Sequence, residues 1–234
     1  MDRKKYVIIM GAGSGTRMGA DKPKQFLEIN GKAILQYTIE VFQRACPGIS
    51  VITVLPEAFI GYWKDYCFKH KFICPQILVK GGISRFHSVR NALEKVPEGA
   101  LVAVHDGVRP LVTEKLVSEI FGIAENEPAV IPVLPSVDTI KVLQVEGDGR
   151  LKAVPGAVAD RSVLYGAQTP QVFHSEVLKK AYSQAYDTAF TDDASVVERQ
   201  EKSLSYIMGE RLNVKITTQD DLMLVQAVMH IRDN

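Results

Sequence analysis

The stretch KYVIIMGAGSGTRMG, residues 5–19, decides the architecture. Lys5 to Met10 is a short apolar, β-branched run with the composition of a buried strand, and it stops at once on Gly11. From Gly11 to Gly19 the chain is built of glycines and small residues around Arg17, so successive backbone N–H groups are able to turn toward an anion. The loop is therefore either a phosphate cradle or a plain structural turn. Two well-known cradles are excluded. The third glycine of a dinucleotide fingerprint falls on Thr16 or Met18, and no Gly-Lys-Ser/Thr follows as a P-loop requires. Arg17 and Lys24, with Lys22 between them, set cations beside the loop, which is what phosphoryl and nucleotidyl transfer need around the reacting phosphorus.

Outward from this start, short apolar runs alternate with segments of helical period, the pattern of βαβ units around a parallel sheet. Strands are expected at Lys5 to Met10, Ile49 to Leu55, Gln76 to Val79, Leu101 to His105 and Ala129 to Leu134. Crossover helices are expected at Ile34 to Ala45 and at Phe86 to Val96, the second with Ser84 as N-cap. At Val137 to Pro155 the rhythm changes. Two extended stretches, Thr139 to Val145 and Arg150 to Val154, flank Gly147-Asp148-Gly149 and predict a β-hairpin arm at about 137–156. A helix near Ser175 to Tyr186, strands near Ser203 to Met208 and Asn213 to Ile216, and a closing helix after Thr218 complete one domain spanning residues 1–234. The sequence has no internal repeat, low-complexity tract or linker.

With 28 basic and 27 acidic residues the net charge is +1, so the one-sided field of a nucleic-acid or membrane-surface binder is missing. Any polyanion handled is expected to be small. Three cysteines without CxxC spacing suggest neither a disulfide framework nor a zinc site, and a cytoplasmic setting is expected. The basic opening resembles that of a signal peptide, but the apolar run from Tyr6 to Met10 is too short for one, and no run elsewhere is long enough to span a bilayer.

The second chemical cluster is His105-Asp106-Gly107-Val108-Arg109-Pro110, which follows an apolar strand at the sheet end where open α/β folds bind ligands. Asp106 and Arg109 suit a polyol hydroxyl and a phosphate, or a metal, or else form a turn with a local ion pair. His105 reads as a packed histidine. Gly81-Gly82 with Ser84, Arg85 and Ser88 forms a further small-residue loop ahead of a helix. Thr191 before Asp192 and Asp193 reads as a helix cap, and Thr218 with Asp221 as a capping box. Alternation alone puts Lys215 on the polar face of a short strand.

In order, the chain carries Gly-Ala-Gly-x-Gly-x-Arg-Met, Pro-Lys-Gln, Gly-Gly-x-x-Arg-x-x-Ser-Val, His-Asp-x-x-Arg-Pro, Asp-Thr-Ile-Lys, Gln-Thr-Pro-Gln-Val-Phe, Thr-Asp-Asp-Ala-Ser and Asn-Val-Lys-Ile-Thr. Together they resemble the 2-C-methyl-D-erythritol 4-phosphate cytidylyltransferases of the non-mevalonate isoprenoid pathway, across essentially the whole chain. The resemblance implies a Rossmann-like, mostly parallel α/β sheet of the glycosyltransferase-A type, a homodimer, and a magnesium-dependent reaction of CTP with a polyol phosphate. It also implies roles. Arg17 and Lys24 match the cations on the α-phosphate, and Gly11, Ala12, Gly13, Gly15, Gly82 and Ser88 match the CTP contacts. Asp106, Arg109, Thr169 and Thr191 match the polyol pocket, Thr139 and Arg161 match arm residues that complete the neighbouring subunit's site, and Lys215 matches the lysine that holds the substrate phosphate. For the metal, Asp106 is the candidate side chain and the triphosphate the main source of ligands. Gly11, Ile83 and Gly107-Val108 depart from the family's usual residues. Ribitol 5-phosphate cytidylyltransferases share most of these features. A non-catalytic nucleotide-binding module would have no use for Arg17, Lys24, Arg161 and Lys215 together, and a nicotinamide dehydrogenase needs the fingerprint that fails.

Overall fold

The computed structural model describes residues 3–13, 22–200 and 203–233. Its strands are β1 (Lys5–Met10), β2 (Glu28–Ile29), β3 (Lys32–Ala33), β4 (Ser50–Leu55), β5 (Gln76–Lys80), β6 (Leu101–Asp106), β7 (Ala129–Pro135), β8 (Leu143–Val145), β9 (Leu151–Ala153), β10 (Tyr165–Ala167), β11 (Gln171–His174) and β12 (Ser205–Met208). The helices are α1 (Ile34–Ala45), α2 (Ile60–Lys69), α3 (Arg85–Leu93), α4 (Glu114–Ala124), α5 (Ser175–Tyr182), α6 (Asp193–Glu198) and α7 (Gln219–Asp233).

The main sheet runs β10-β7-β11-β6-β1-β4-β5, with β12 on the other edge of β7. β6, β1, β4 and β5 are parallel, while β11 runs antiparallel between β6 and β7. Side chains alternate along each central strand. Val7 and Ile9 face one layer with Phe42, Trp63, Val117 and Phe121, from α1, α2 and α4. Ile8 faces the other layer with Val89, Leu93, Leu178 and Val196, from α3, α5 and α6. A smaller cluster seats α7 through Leu222, Val225 and Met229 against Ile29, Ile34, Val108 and Leu111.

The chain runs from β1 outward to β4 and β5, then crosses back to β6 on the far side of β1. This reversal leaves a crevice beyond the carboxyl ends of β1 and β6, the place where doubly wound sheets take ligands. Met10 and Asp106 are register partners at that edge, so the glycine loop and the Asp106 turn leave the sheet side by side.

The local chemistry agrees with the expected caps at two helices. Ser84 accepts a bond from the His87 N–H at the start of α3. Thr218 and Asp221 form a reciprocal pair before α7, at 2.8 and 3.2 Å. The hairpin arm is present as β8 and β9, which are shorter than the extended stretches read in the sequence. Three expectations are corrected. Asp192, not Thr191, caps α6, because its carboxylate accepts from Ser195 N–H while the Ser195 hydroxyl accepts in return. Asn213 to Ile216 is not a strand, since Ile216 N–H bonds to Val108 O without a continuing ladder. Lys215 accordingly does not stand on a strand's polar face; it reaches Asp106.

Candidate active site

A cavity of about 510 Å³ opens at the β1/β6 crevice, lined by Gly11, Ala12, Gly13, Lys24, Gln25, Gly82, Ser88, Asp106 and Lys215 among others. Three loops build it. The first leaves β1, where Gly11 N–H donates to Val54 O at 2.8 Å. The second leaves β5, where a Cβ on Gly81 would stand 2.6 Å from that of Ala12, and one on Gly82 would stand 2.5 Å from that of His87. Only glycine lets the loop pass this close to both neighbours. Ser88, buried at the start of α3, accepts from Gly82 N–H at 2.9 Å and donates to Ser84 O at 2.9 Å, so it fixes the loop.

The third loop leaves β6. Asp106 Oδ2 lies 3.1 Å from Arg109 Nε and 3.1 Å from Lys215 Nζ. Arg109 also donates to Asn213 O at 2.7 Å, so the guanidinium braces the turn and the 213–217 segment from behind. Burial alone would push the Asp106 carboxyl up, but Lys215, Arg85 and Arg109 hold it well below the usual carboxylate range. It is an anion at any physiological pH. Thr169, also buried, accepts from Asp106 N–H at 3.1 Å and positions the turn from the β10–β11 side. His105 packs on Phe42 with ring centroids 5.0 Å apart and donates from Nε2 to Arg109 O at 3.3 Å. Burial depresses its pKa to about 3, so it stays neutral, as its reading as a packed histidine implies.

Most of the expected site residues converge here. Gly15 and Arg17 lie outside the described residues. Thr139 and Arg161 are exposed near the arm and do not line the cavity; Arg161 donates to Val137 O at 3.1 Å. Thr191 is exposed as well, its N–H held by Ser195 Oγ at 3.1 Å. Two further residues acquire roles that sequence reading left open. Arg85 lines the cavity and is gripped by the fully buried carboxylate of Asp193, at 2.9 and 2.5 Å, which Tyr182 also meets at 2.6 Å. Gln25 lies beneath the glycine loop. The Gly-Gly-x-x-Arg and Pro-Lys-Gln motifs were the available signals for both.

The described part of the site is a backbone cradle facing Lys24, Lys215 and Arg85, with the Asp106 carboxylate among them. The model of the 2-C-methyl-D-erythritol 4-phosphate cytidylyltransferase family matches residues 6–231. The chain belongs to that family. A relative of this name from Phocaeicola vulgatus is 42% identical over 225 residues, covering 96% of this chain and 99% of that protein. Another from Bacteroides thetaiotaomicron is 42% identical, covering 97% and 100%. The crystal structure of the 4-diphosphocytidyl-2C-methyl-D-erythritol synthase of Anaerococcus prevotii superposes with a TM-score of 0.77 at 27% identity, covering 97% of this chain and 99% of that one. Three of the motifs, those that begin at Gly11, Gly81 and His105, fall on the three loops of the crevice, and the mostly parallel sheet expected from the resemblance is the one observed. Among the described residues no helix is long and apolar enough to cross a membrane.

Proposed function

We propose that the chain transfers the cytidylyl group of CTP to the phosphate of 2-C-methyl-D-erythritol 4-phosphate and releases pyrophosphate. The observation that carries this reading, beside the family, is the crevice at the β1/β6 reversal, where the glycine loop meets Lys24 and Lys215. The polyol's phosphate monoester is largely a dianion near neutral pH, so one of its oxygens attacks the α-phosphorus while the bond to the bridging oxygen of pyrophosphate breaks. No proton has to be removed. This suits a site whose histidine is buried and neutral and whose carboxylate is already bound to cations. Catalysis is then orientation plus neutralisation. In this reading Lys24 and Arg17 neutralise charge at the α-phosphate, and Lys215 and Asp106 fix the incoming phosphate and polyol. Gly82 and Ser88 shape the nucleotide side.

Magnesium fits as an ion carried by the triphosphate. The described residues hold no cluster of three metal-ligating side chains, and among them Asp106 is the one carboxylate that lines the cavity. When bound, the ion would offset charge on the phosphates, with Asp106 as its protein ligand.

We further propose a homodimer in the cytoplasm, in which the arm carries Thr139 and Arg161 to the partner's site. Val145 and Leu151 on the hairpin are 70% and 67% exposed, apolar surface of the kind an interface covers. The test is pyrophosphate release with CTP, magnesium and each polyol phosphate in turn. Turnover is expected with 2-C-methyl-D-erythritol 4-phosphate. Turnover with ribitol 5-phosphate instead, or with ATP as readily as with CTP, would overturn the assignment.

A further inference from the structure

Gln25 is a polar residue with only 1% of its surface exposed, and a buried amide must find partners. It finds them in the glycine loop. Its Nε2 donates to Gly11 O at 2.5 Å and approaches Gly13 O at 3.5 Å. A peptide is planar and trans, so a carbonyl drawn toward Gln25 sends the N–H of the following residue the opposite way. The carbonyl of Gly11 thus sets the direction of the Ala12 N–H in the cavity wall.

Gln25 is itself held firmly. It is the middle residue of a 3-10 turn, Lys24–Phe26, closed by Phe26 N–H to Pro23 O at 2.9 Å and Leu27 N–H to Lys24 O at 3.1 Å. Phe26 anchors the turn from below, with ring centroids 5.6 Å from Phe59, 5.2 Å from Tyr62 and 6.0 Å from Trp63. One residue before Gln25, Lys24 lines the cavity. A single amide therefore joins the backbone cradle to the turn that delivers the cation.

We infer that Gln25 is a positioning residue for the nucleotide triphosphate, acting through the carbonyls of Gly11 and Gly13; this rests on the transfer reaction proposed above. The wild-type chain is compared with Gln25→Met, which keeps the volume and loses the donor, and Gln25→Glu, which sets a carboxylate against two carbonyl oxygens. CTP binding by calorimetry, both KM values and Tm are measured. In Gln25→Met the Kd and KM for CTP are expected to rise about tenfold, the scale of one buried hydrogen bond, and further in Gln25→Glu. KM for the polyol phosphate is expected to stay within about twofold, a split that general loosening of the fold would not produce. Unchanged CTP binding in Gln25→Met overturns the inference, as do equal losses for both substrates or a chain that folds with neither substitution. A wild-type chain that binds CTP but releases no pyrophosphate counts against the transfer reaction alone, because the CTP comparison still decides the role of Gln25.

Discussion

The ammonium of Lys215 and the carboxylate of Asp106 meet at 3.1 Å although 109 positions separate them in the chain, and Arg109 meets the same oxygen from behind. Asp106 is nearly buried while the Lys215 side chain is 43% exposed, so the pair is asymmetric. The carboxylate stays with the protein, and the lysine extends from it into the crevice.

Removing the two partners should therefore have different consequences. Lys215→Ala is expected to lower turnover about 100-fold, the scale of one preorganised charge, with Tm almost unchanged. Asp106→Asn leaves Arg109 with a neutral partner in a buried setting and should cost about 3 kcal/mol of stability as well as activity. Denaturant unfolding beside pyrophosphate release separates the two effects; equal stability losses would refute the asymmetry.

If Lys24 and Arg17 neutralise charge at the reacting phosphorus as proposed, Lys24→Ala and Arg17→Ala should each lower turnover by about 100-fold or more while the fold survives. Circular dichroism confirms folding before rates are compared. Normal turnover in a folded Lys24→Ala chain would remove that lysine from the mechanism.

Gly82→Ala should force α3 away from its loop, because the added Cβ would lie 2.5 Å from the His87 Cβ and 2.9 Å from its carbonyl carbon. The expected outcome is a rise in KM for CTP of about tenfold or more together with a fall in Tm. A variant with wild-type values in both would show that the loop has room that the distances deny.

Acid should weaken the protein in two stages. His105 has a depressed pKa in the folded chain, so its contribution is complete above the unfolded value of 6.5 and is lost as pH falls toward about 3. Asp106 is depressed too, so its contribution is lost only below its unfolded value of 3.8. Replacing His105 by Asn should flatten unfolding free energy against pH between 6 and 4 by up to about 1.4 kcal/mol per pH unit, the equivalent of one proton. An unchanged slope would mean that His105 does not titrate on unfolding in this window.

If Arg161 serves the partner's site, Arg17→Ala and Arg161→Ala chains are each poorly active, yet a mixed dimer holds one site with both arginines intact. In a one-to-one mixture with free exchange, half the dimers are mixed and each has one good site in two. Activity should then recover to about a quarter of wild type. Differently tagged subunits establish that mixed dimers form; if they do and activity stays at the parental level, the sharing of sites is refuted.

The parts legible in the sequence were those specified by near neighbours. The β1 run broken by Gly11, the Ser84 cap and the Gly147-Asp148-Gly149 turn each carry their signal within a few residues. α4 carries local signals as well, Thr113 as cap and the spacing of Leu116, Val117, Ile120 and Phe121, although the sequence expectations above do not include it. β11 is different. Four residues inserted antiparallel between β6 and β7 owe their state to partners far off in the chain, which local periodicity does not encode. The same holds in the site. The motifs marked Lys24, Asp106 and Lys215 as charged, but not that Asp193 would grip Arg85 across 108 positions or that Gln25 would be buried.

Trp63 is the chain's single tryptophan, fully buried and stacked on Tyr66 with its indole N–H donated to Gln76. Its ring also lies against Phe26, one residue from Gln25 and two from Lys24. The protein thus contains an intrinsic fluorophore packed against the turn beneath its glycine loop. Indole emission from the unlabelled enzyme reports, from one known position, on whether that turn shifts when the crevice fills.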